Sequence, residues 1–123
     1  MRVNKNEHTV FFDVDDTLIV HHTLETAGRL VSILDPVNGG YLQFREHTSM
    51  VRLLKEESQR KSHIVVWSRG GWEWARNVVL ALGLDHMVHQ VMTKPTVYFD
   101  DKDISEWLRY RVYFEPGTDY KNT

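Results

Sequence analysis

The stretch HTVFFDVDDTL, residues 8–18, begins with a short apolar run and ends with three acids within four positions. The apolar residues at 10–12 predict a buried strand, and Asp13, Asp15 and Asp16 follow at its carboxyl end. Carboxylates this close repel one another, so such a strand end favours a bound cation. Mg²⁺ is a suitable ion, because it is usually held by one or two carboxylates together with phosphate. The alternative is a polar turn whose acids are simply solvated.

Composition narrows the class of protein further. The 123 residues predict a single domain over residues 1–123, with 41% hydrophobic and 26% charged residues. The net charge of −2 gives no general attraction to nucleic acid or to a membrane surface. The absence of cysteine excludes disulfides, zinc–thiolate sites and cysteine nucleophiles. The sequence has neither a signal-peptide core nor an apolar run of membrane-spanning length, so we expect a cytoplasmic protein without a membrane partner.

Strands and helices alternate along the rest of the chain. The further predicted elements are strands at 63–67, 87–92, 96–99 and 111–114, helices at 48–60 and 75–82, a β-hairpin at about 29–45, and a short helix at 103–108. A tail at 117–123 is expected to fray. Crossovers of this length predict an α/β fold, with a doubly wound, mostly parallel sheet of about five strands.

Polar residues follow the carboxyl ends of four of these strands. The carboxyl ends of parallel strands open on the same side of a sheet, so residues distant in sequence meet there. These strand ends carry an acid pair, a hydroxyl, a cation and a second acid pair, namely Asp13 with Asp15, Ser68, Lys94, and Asp100 with Asp101. Chance placement of all four is less probable than that of any one. The pattern therefore predicts a single site at this edge.

This set resembles the four motifs of the haloacid dehalogenase superfamily, most of whose members are Mg²⁺-dependent phosphohydrolases. The first motif is similar to the DVDDT run at 13–17, and the second to Ser68 after an apolar strand. The third is matched by Lys94 and the fourth by the Asp pair at 100–101. The resemblance implies a Rossmann-like sheet over roughly residues 8 to 115.

The resemblance also implies a role for each residue of the site. Asp13 would attack phosphorus to give an aspartyl-phosphate, and Asp15 would act as general acid and then general base. Ser68 and Lys94 would bind and neutralise the phosphoryl group. The implied Mg²⁺ ligands are Asp13, Asp15 through its backbone carbonyl, Asp100 and Asp101.

Further substrate contacts are expected around the loop after the second strand. The implied substrate-binding residues are Thr17, Arg69, Gly70 and Trp72. Arg69 is the alternative phosphate-binding cation, because Lys94 lies closer to the fourth motif than in many members of the superfamily. Trp72 is a candidate base-stacking residue, since stacking on an aromatic ring contributes about 1–3 kcal/mol per base. Packing of this indole on the sheet is the alternative.

The lengths of the segments between the motifs indicate whether a cap domain covers the site, and so which substrates can enter it. The segment 18–47 holds only a hairpin, and 69–93 only a helix and a strand, so the chain resembles capless members. An open site goes with large substrates, such as a polynucleotide end, a nucleotide or a phosphoprotein. The alternative is a sugar-phosphate phosphatase whose pocket is completed by a homo-oligomer through the 29–45 hairpin. For the hairpin itself, an ordinary flap over its own site is favoured over this intersubunit role.

Two functions that involve no hydrolysis are also compatible with the chain. A phospho-acceptor receiver domain has nearly this length and a similar set of polar residues. Its accepting Asp, however, ends the third strand, whereas here the corresponding strand ends in Ser68. A silent binding module is the other alternative. The sequence therefore predicts, in first place, a phosphatase whose open site takes a large substrate. A sugar-phosphate phosphatase completed by a second copy comes second, and a receiver domain or binding module comes last.

Overall fold

The computed structural model describes residues 8–24, 27–109 and 111–112, and shows a mixed α/β fold with two three-stranded sheets and two helices. In chain order the elements are β1 (Thr9–Asp13), β2 (Ile19–His21), β3 (Leu30–Leu34), β4 (Tyr41–Glu46), α1 (Thr48–Gln59), β5 (His63–Ser68), α2 (Trp72–Ala81), β6 (Gln90–Thr93) and a 3₁₀ turn (Ile104–Glu106). No cap domain is evident in the described part of the chain.

The parallel sheet has the strand order β1-β5-β6 and places the carboxyl ends of its strands side by side. Asp13 pairs with Trp67, and Ser68 pairs with Thr93. Phe12 is buried and lies beside the buried Val66 on one face of this sheet. This register brings the acid motif next to the end of β5.

The hydrophobic core forms on the Phe12 face of the parallel sheet. Side chains of both helices join this cluster, with α1 supplying Met50, Val51 and Leu54 and α2 supplying Trp74, Ala75, Val78 and Val79. The opposite face presents Phe11, which is 44% exposed and packs edge-on against Trp67. The described helices therefore cover one face, whereas a doubly wound sheet carries helices on both.

The predicted hairpin is present and belongs to a second, antiparallel sheet of order β2-β4-β3. Its turn is closed by Asp35, whose Oδ1 accepts hydrogen bonds from the backbone N–H groups of Val37 (2.9 Å) and Asn38 (3.2 Å). The sequence did not indicate β2, a three-residue strand that pairs with the other edge of β4. This additional strand connects the acid loop directly to the hairpin.

The segment 96–99 does not form the predicted strand. It is irregular, with Val97 67% exposed and Phe99 96% exposed. A strand is stabilised by its hydrogen-bonded neighbour, and none of the described strands pairs with this segment. The parallel sheet therefore has three described strands rather than about five.

The remaining differences lie at the edges of elements. The third strand begins at Gln90 rather than at residue 87, because a turn on Leu84 occupies the residues before it. The capping box of Asp103 and Glu106 is confirmed, although it opens a 3₁₀ turn instead of a longer helix. Most of the predicted strand 111–114 and the tail 117–123 lie outside the described residues. No helix in the described part is long and apolar enough to cross a membrane.

Candidate active site

The acid motif lies on a tight loop at the end of β1. The carbonyl of Val14 accepts hydrogen bonds from the backbone N–H groups of Thr17 (3.1 Å) and Leu18 (2.9 Å). Val14 and Leu18 are both fully buried, so they anchor the loop in the core. Asp16 has φ 62°, a left-handed conformation that Asp and Asn tolerate better than most residues. The loop thereby turns back into β2 and leaves its carboxylates accessible to solvent.

Asp13 faces a lysine and a hydroxyl. Lys94 Nζ lies 3.8 Å from Asp13 Oδ1, and Thr17 Oγ1 donates a hydrogen bond to Oδ2 at 3.4 Å. The Lys94 ammonium also lies over the Trp67 ring, 5.6 Å from its centroid. Both partners of the ion pair keep about a third of their side-chain surface exposed, 35% for Lys94 and 36% for Asp13. Ion pairs this exposed contribute roughly 0–1 kcal/mol to stability. The pair is therefore of more interest for chemistry than for folding.

Asp15 has the electrostatic character of a proton donor. Asp15 is exposed as a residue, but the protein around its carboxyl removes part of its hydration, and this desolvation raises its pKa above the ordinary value. A hydrogen bond from Trp74 Nε1 to Oδ1 at 3.2 Å lowers the pKa, and the neighbouring charges of Asp13 and Asp16 raise it. The net direction is upward, because desolvation is the largest of these effects. A carboxyl that keeps its proton more readily than usual is suited to general acid–base catalysis.

Ser68 lies at the base of the loop that follows β5. It is fully buried, its Oγ accepts a hydrogen bond from the Gly70 N–H at 3.0 Å, and its carbonyl accepts one from the Lys94 N–H at 2.8 Å. Ser68 therefore shapes the loop and fixes the backbone of Lys94. A hydrogen bond from the Ser68 hydroxyl to phosphate stays a prediction. Ser68 is fully buried here, so the loop at 68–71 would have to move aside for phosphate to reach this hydroxyl.

The same loop leads into α2 through Gly71. This residue has φ 108°, a conformation that side-chain-bearing residues rarely adopt, and it occupies the N-cap position. The next N–H, that of Trp72, donates to Thr93 Oγ1 at 3.0 Å and so ties the start of α2 to β6. The Trp72 side chain is 47% exposed, with the Arg76 guanidinium 5.2 Å from its ring centroid.

The two candidate phosphate-binding cations differ in position. Arg69 and Gly70 are exposed on the loop, and Arg69 makes no ion pair with any residue described here. Lys94 is the cation that lies beside Asp13. The short spacing between the third and fourth motifs does not prevent this contact, because the Lys94 backbone bonds to the end of β5.

Asp100 and Asp101 are not gathered with the first acid pair. Both are exposed, and Asp100 Oδ1 accepts a local hydrogen bond from the Lys102 N–H at 3.1 Å. Within the ranges 8–24, 27–109 and 111–112, no group of three or more His, Asp or Glu side chains is arranged to hold a metal. The physical reason is that the strand predicted at 96–99 is not formed, so nothing holds Asp100 at the sheet edge.

The first acid pair nevertheless fits a Mg²⁺ ion. Mg²⁺ commonly uses only one or two carboxylates and completes its shell with water and phosphate oxygens. Asp13 and Asp15 lie close enough for the charge of one to raise the pKa of the other, which is the repulsion that a cation relieves. This pair thus has the donor chemistry for the ion without Asp100 and Asp101.

Sequence reasoning missed two residues of the site. One is Trp74, which is 8% exposed and whose indole N–H donates a hydrogen bond to the Asp15 carboxyl. Thr93, which caps the Trp72 N–H, had no signal in the sequence. Both contacts join elements that are far apart in the chain.

No protein-family model matches this chain, and no curated protein matches it significantly.

Proposed function

We propose that this chain is a Mg²⁺-dependent phosphomonoester hydrolase of the haloacid dehalogenase type, which works through an aspartyl-phosphate on Asp13. The observation that carries the proposal is the 3.8 Å approach of Lys94 Nζ to Asp13 Oδ1. This contact joins the first and third motifs across the sheet. A carboxylate nucleophile needs such a cation, because the attack brings its negative charge against a phosphate that is also negative.

In the first proposed step an oxygen of Asp13 attacks phosphorus, and the bond from phosphorus to the substrate oxygen breaks. Asp15 gives its proton to that departing oxygen, which leaves as an alcohol. In the second step Asp15 takes a proton from water, and the water oxygen attacks phosphorus. The acyl-phosphate bond breaks, inorganic phosphate leaves, and Asp13 returns to its carboxylate form.

Two further groups support these steps. The Lys94 ammonium neutralises charge on the nucleophile and on the phosphoryl oxygens. The N–H groups of Gly70 and Gly71 near the start of α2 bond to Ser68 in this structure, and they would have to exchange those bonds for phosphate oxygens to bind the substrate there. Mg²⁺, when bound, would supply further neutralisation of the phosphate, and the Asp13 side chain and the Asp15 carbonyl are the groups proposed to hold it.

The finer architecture belongs to the same proposal. We propose one domain over residues 1–123, with a Rossmann-like, doubly wound sheet of about five strands, the hairpin at 29–45 as its flap, and no cap domain. The segment 96–99 would pair with the free edge of β1, which would bring Asp100 and Asp101 to the metal. The support is the exposure of Val97 and Phe99, since their burial would be favourable.

The proposed substrate is one that an open site admits, such as a polynucleotide end, a nucleotide or a phosphoprotein. The half-exposed Trp72 ring beside the loop offers a surface for a base or an aromatic side chain. Thr17, Arg69 and Gly70 are proposed substrate contacts on the same side of the sheet. We propose a cytoplasmic location, without a membrane partner.

The second candidate is a sugar-phosphate phosphatase completed by a second copy of the chain. The observation in its favour is the outer face of the hairpin, where Leu34 (43% exposed) and Tyr41 (69%) are cross-strand neighbours and Leu30 (51%) lies on the same face. Burial of this face between two copies would favour a dimer. A phosphate-release screen of metabolites and of 3′- and 5′-phosphorylated oligonucleotides separates the two candidates.

The decisive experiment is the hydrolysis of p-nitrophenyl phosphate with Mg²⁺ by the purified chain and by Asp13→Asn. We expect hydrolysis by the wild type that stops on addition of EDTA and returns with excess Mg²⁺, and no measurable turnover by the variant. Asp16→Asn is the matched control, because it removes the same charge from the same loop at a position where Asn tolerates the positive φ. Undiminished turnover by Asp13→Asn would remove the assigned nucleophile.

The same experiment tests the alternatives that involve no hydrolysis. A receiver domain would accumulate a phospho-aspartate from a small phosphodonor without catalytic turnover. A silent binding module would show neither turnover nor phosphorylation.

A further inference from the structure

Trp74 contacts three separate parts of the candidate site. Its indole N–H donates a hydrogen bond to Asp15 Oδ1 at 3.2 Å, across 59 positions of the chain. Its ring packs edge-on against Phe44 of β4, with 5.8 Å between centroids. It also borders Gly70, where a Cβ atom would lie only 3.3 Å from Trp74 Cδ1. Trp74 is 8% exposed, so these contacts hold a nearly buried ring between the two sheets.

We propose that Trp74 is a positioning residue, whose indole N–H holds the carboxyl of Asp15 in the orientation that delivers a proton to the leaving group. This inference rests on the proposed phosphatase function and goes beyond it, because neither the motifs nor the resemblance assigns a role to Trp74. The indole would act only through Asp15 and would not touch the substrate.

The chemistry of the hydrogen bond supports this role. An indole N–H is a donor only, so the oxygen it binds must act as an acceptor in both protonation states of Asp15. In the protonated carboxyl the better acceptor is the carbonyl oxygen, which places the acidic proton on Oδ2. The bond to Oδ1 therefore selects the oxygen that carries the proton. In this proposal Oδ2 is the oxygen that delivers the proton to the leaving group.

The surroundings of the ring make the donor rigid. Phe44 contacts it from the antiparallel sheet, and Gly70 allows the loop after β5 to approach it closely. Asp15 lies beside Asp16, whose loop conformation is unusual for a side-chain-bearing residue. A donor fixed in the core thus restrains a carboxyl on a tight surface loop. Proton transfer depends on such positioning, because it requires the heavy atoms to approach within hydrogen-bond distance.

The test compares two phosphate esters in Trp74→Phe, which keeps an aromatic ring and removes the N–H. An alkyl phosphate needs a proton on its departing oxygen, whereas 2,4-dinitrophenyl phosphate releases a stable anion without one. General acid catalysis contributes roughly 10²–10⁴-fold, so we expect kcat for the alkyl ester to fall about tenfold or more. Because Asp15 also serves as the base in the second step for both esters, the dinitrophenyl ester is followed by its pre-steady-state burst of dinitrophenolate, which reports the first step alone. We expect this burst rate to stay within about twofold, and KM for the alkyl ester to change little.

Two matched controls isolate the hydrogen bond. Trp107→Phe makes the same substitution at an exposed indole outside the site and should leave both rates unchanged. In an Asp15→Asn background, Trp74→Phe should cause no further loss on the alkyl ester, because residues that act through one another are not additive. If Trp74→Phe does not fold, benzothienylalanine at position 74 keeps the shape of indole and removes only the donor.

The possible outcomes distinguish a failure of this inference about Trp74 from a failure of the proposed phosphatase function. If the wild type hydrolyses neither ester, the proposed function fails and this inference falls with it. If the wild type hydrolyses both, equal losses in the first-step rates of the two esters, or a first-step loss on the alkyl ester that persists in the Asp15→Asn background, would overturn the role of Trp74 and leave the phosphatase proposal standing. A loss confined to the alkyl ester and absent without Asp15 supports it.

Discussion

Two regions of this chain carry similar acidic motifs and differ in how they are held. In the loop at 13–17 the acids are interleaved with Val14 and followed by Leu18, and both apolar residues are fully buried. In the segment at 97–101 the acids follow Val97 and Phe99, which are 67% and 96% exposed. The comparison shows that acids at the end of a strand are held in place only where the apolar residues next to them are buried in the core. The strand must also find a hydrogen-bonded neighbour.

The largest expected difference between the two regions is in stability. Leu18→Ala removes a fully buried side chain beneath the acid loop, and such substitutions destabilise by roughly 2–5 kcal/mol. Phe99→Ala removes a ring that is 96% exposed, and surface substitutions change stability by about 0.5 kcal/mol or less. Urea denaturation of the two variants beside the wild type measures both free energies of unfolding.

The result also tests the proposed fourth strand. A loss above about 2 kcal/mol in Phe99→Ala would show that this ring is buried in solution, which favours pairing of 96–99 with β1. Equal small effects in both variants would contradict the claim that Leu18 anchors the acid loop.

The same comparison shows how far the fold follows from sequence. The apolar runs that contain Phe12 and Val66 predicted two strands correctly, although Phe11 in the first run is 44% exposed rather than buried. The hairpin was predictable from the two short segments that flank a turn containing Asn38 and Gly39. The short strand β2 was not predictable, since three residues carry no period and depend on pairing with β4.

The site was predictable to a similar extent. The sequence placed Asp13, Ser68 and Lys94 at the ends of strands that adjoin, and the structure brings Lys94 to Asp13. It also placed Asp100 at a strand end, but the apolar run before it has no described partner strand. The Trp74–Asp15 bond depends on side-chain directions across the whole fold, which no local pattern encodes.

A second prediction asks whether the acids at 100–101, like those at 13–15, contribute to Mg²⁺ binding during hydrolysis. If residues 96–99 dock on β1, Asp100 becomes a Mg²⁺ ligand, and Asp100→Asn should raise the Mg²⁺ concentration for half-maximal hydrolysis about tenfold or more. Asp85→Asn, an exposed acid in the turn after α2, is the control for general charge effects. A titration of p-nitrophenyl phosphate hydrolysis with Mg²⁺ gives both values.

An unchanged Mg²⁺ requirement in Asp100→Asn would mean that the ion uses only the first acid pair. The nucleophile assignment would survive that result, and the five-strand extension of the sheet would lose its main support.

The smallest expected effect is a difference in the pH dependence of stability between Asp15 and Asp35. The pKa of Asp15 is raised, chiefly by burial, so the unfolded chain loses this proton at a lower pH than the folded chain does. Stability therefore falls as pH rises from the ordinary carboxyl pKa through the raised one. Asp15→Asn removes this penalty, and the Asn oxygen can still accept the Trp74 hydrogen bond. We expect a higher Tm than wild type at neutral pH and an equal Tm at acid pH, where both states are protonated.

Asp35 is the matched control of opposite sign. Backbone N–H donors from Val37 and Asn38 lower the pKa of its carboxyl, so its ionised form stabilises the fold above the ordinary pKa. That contribution is lost as pH falls through the lowered value, and Asp35→Asn should lower the Tm at neutral pH only. Thermal unfolding monitored by circular dichroism across the acid range measures both variants. Parallel pH profiles would contradict the assignment, because the two carboxyls would then share one environment despite the Trp74 contact.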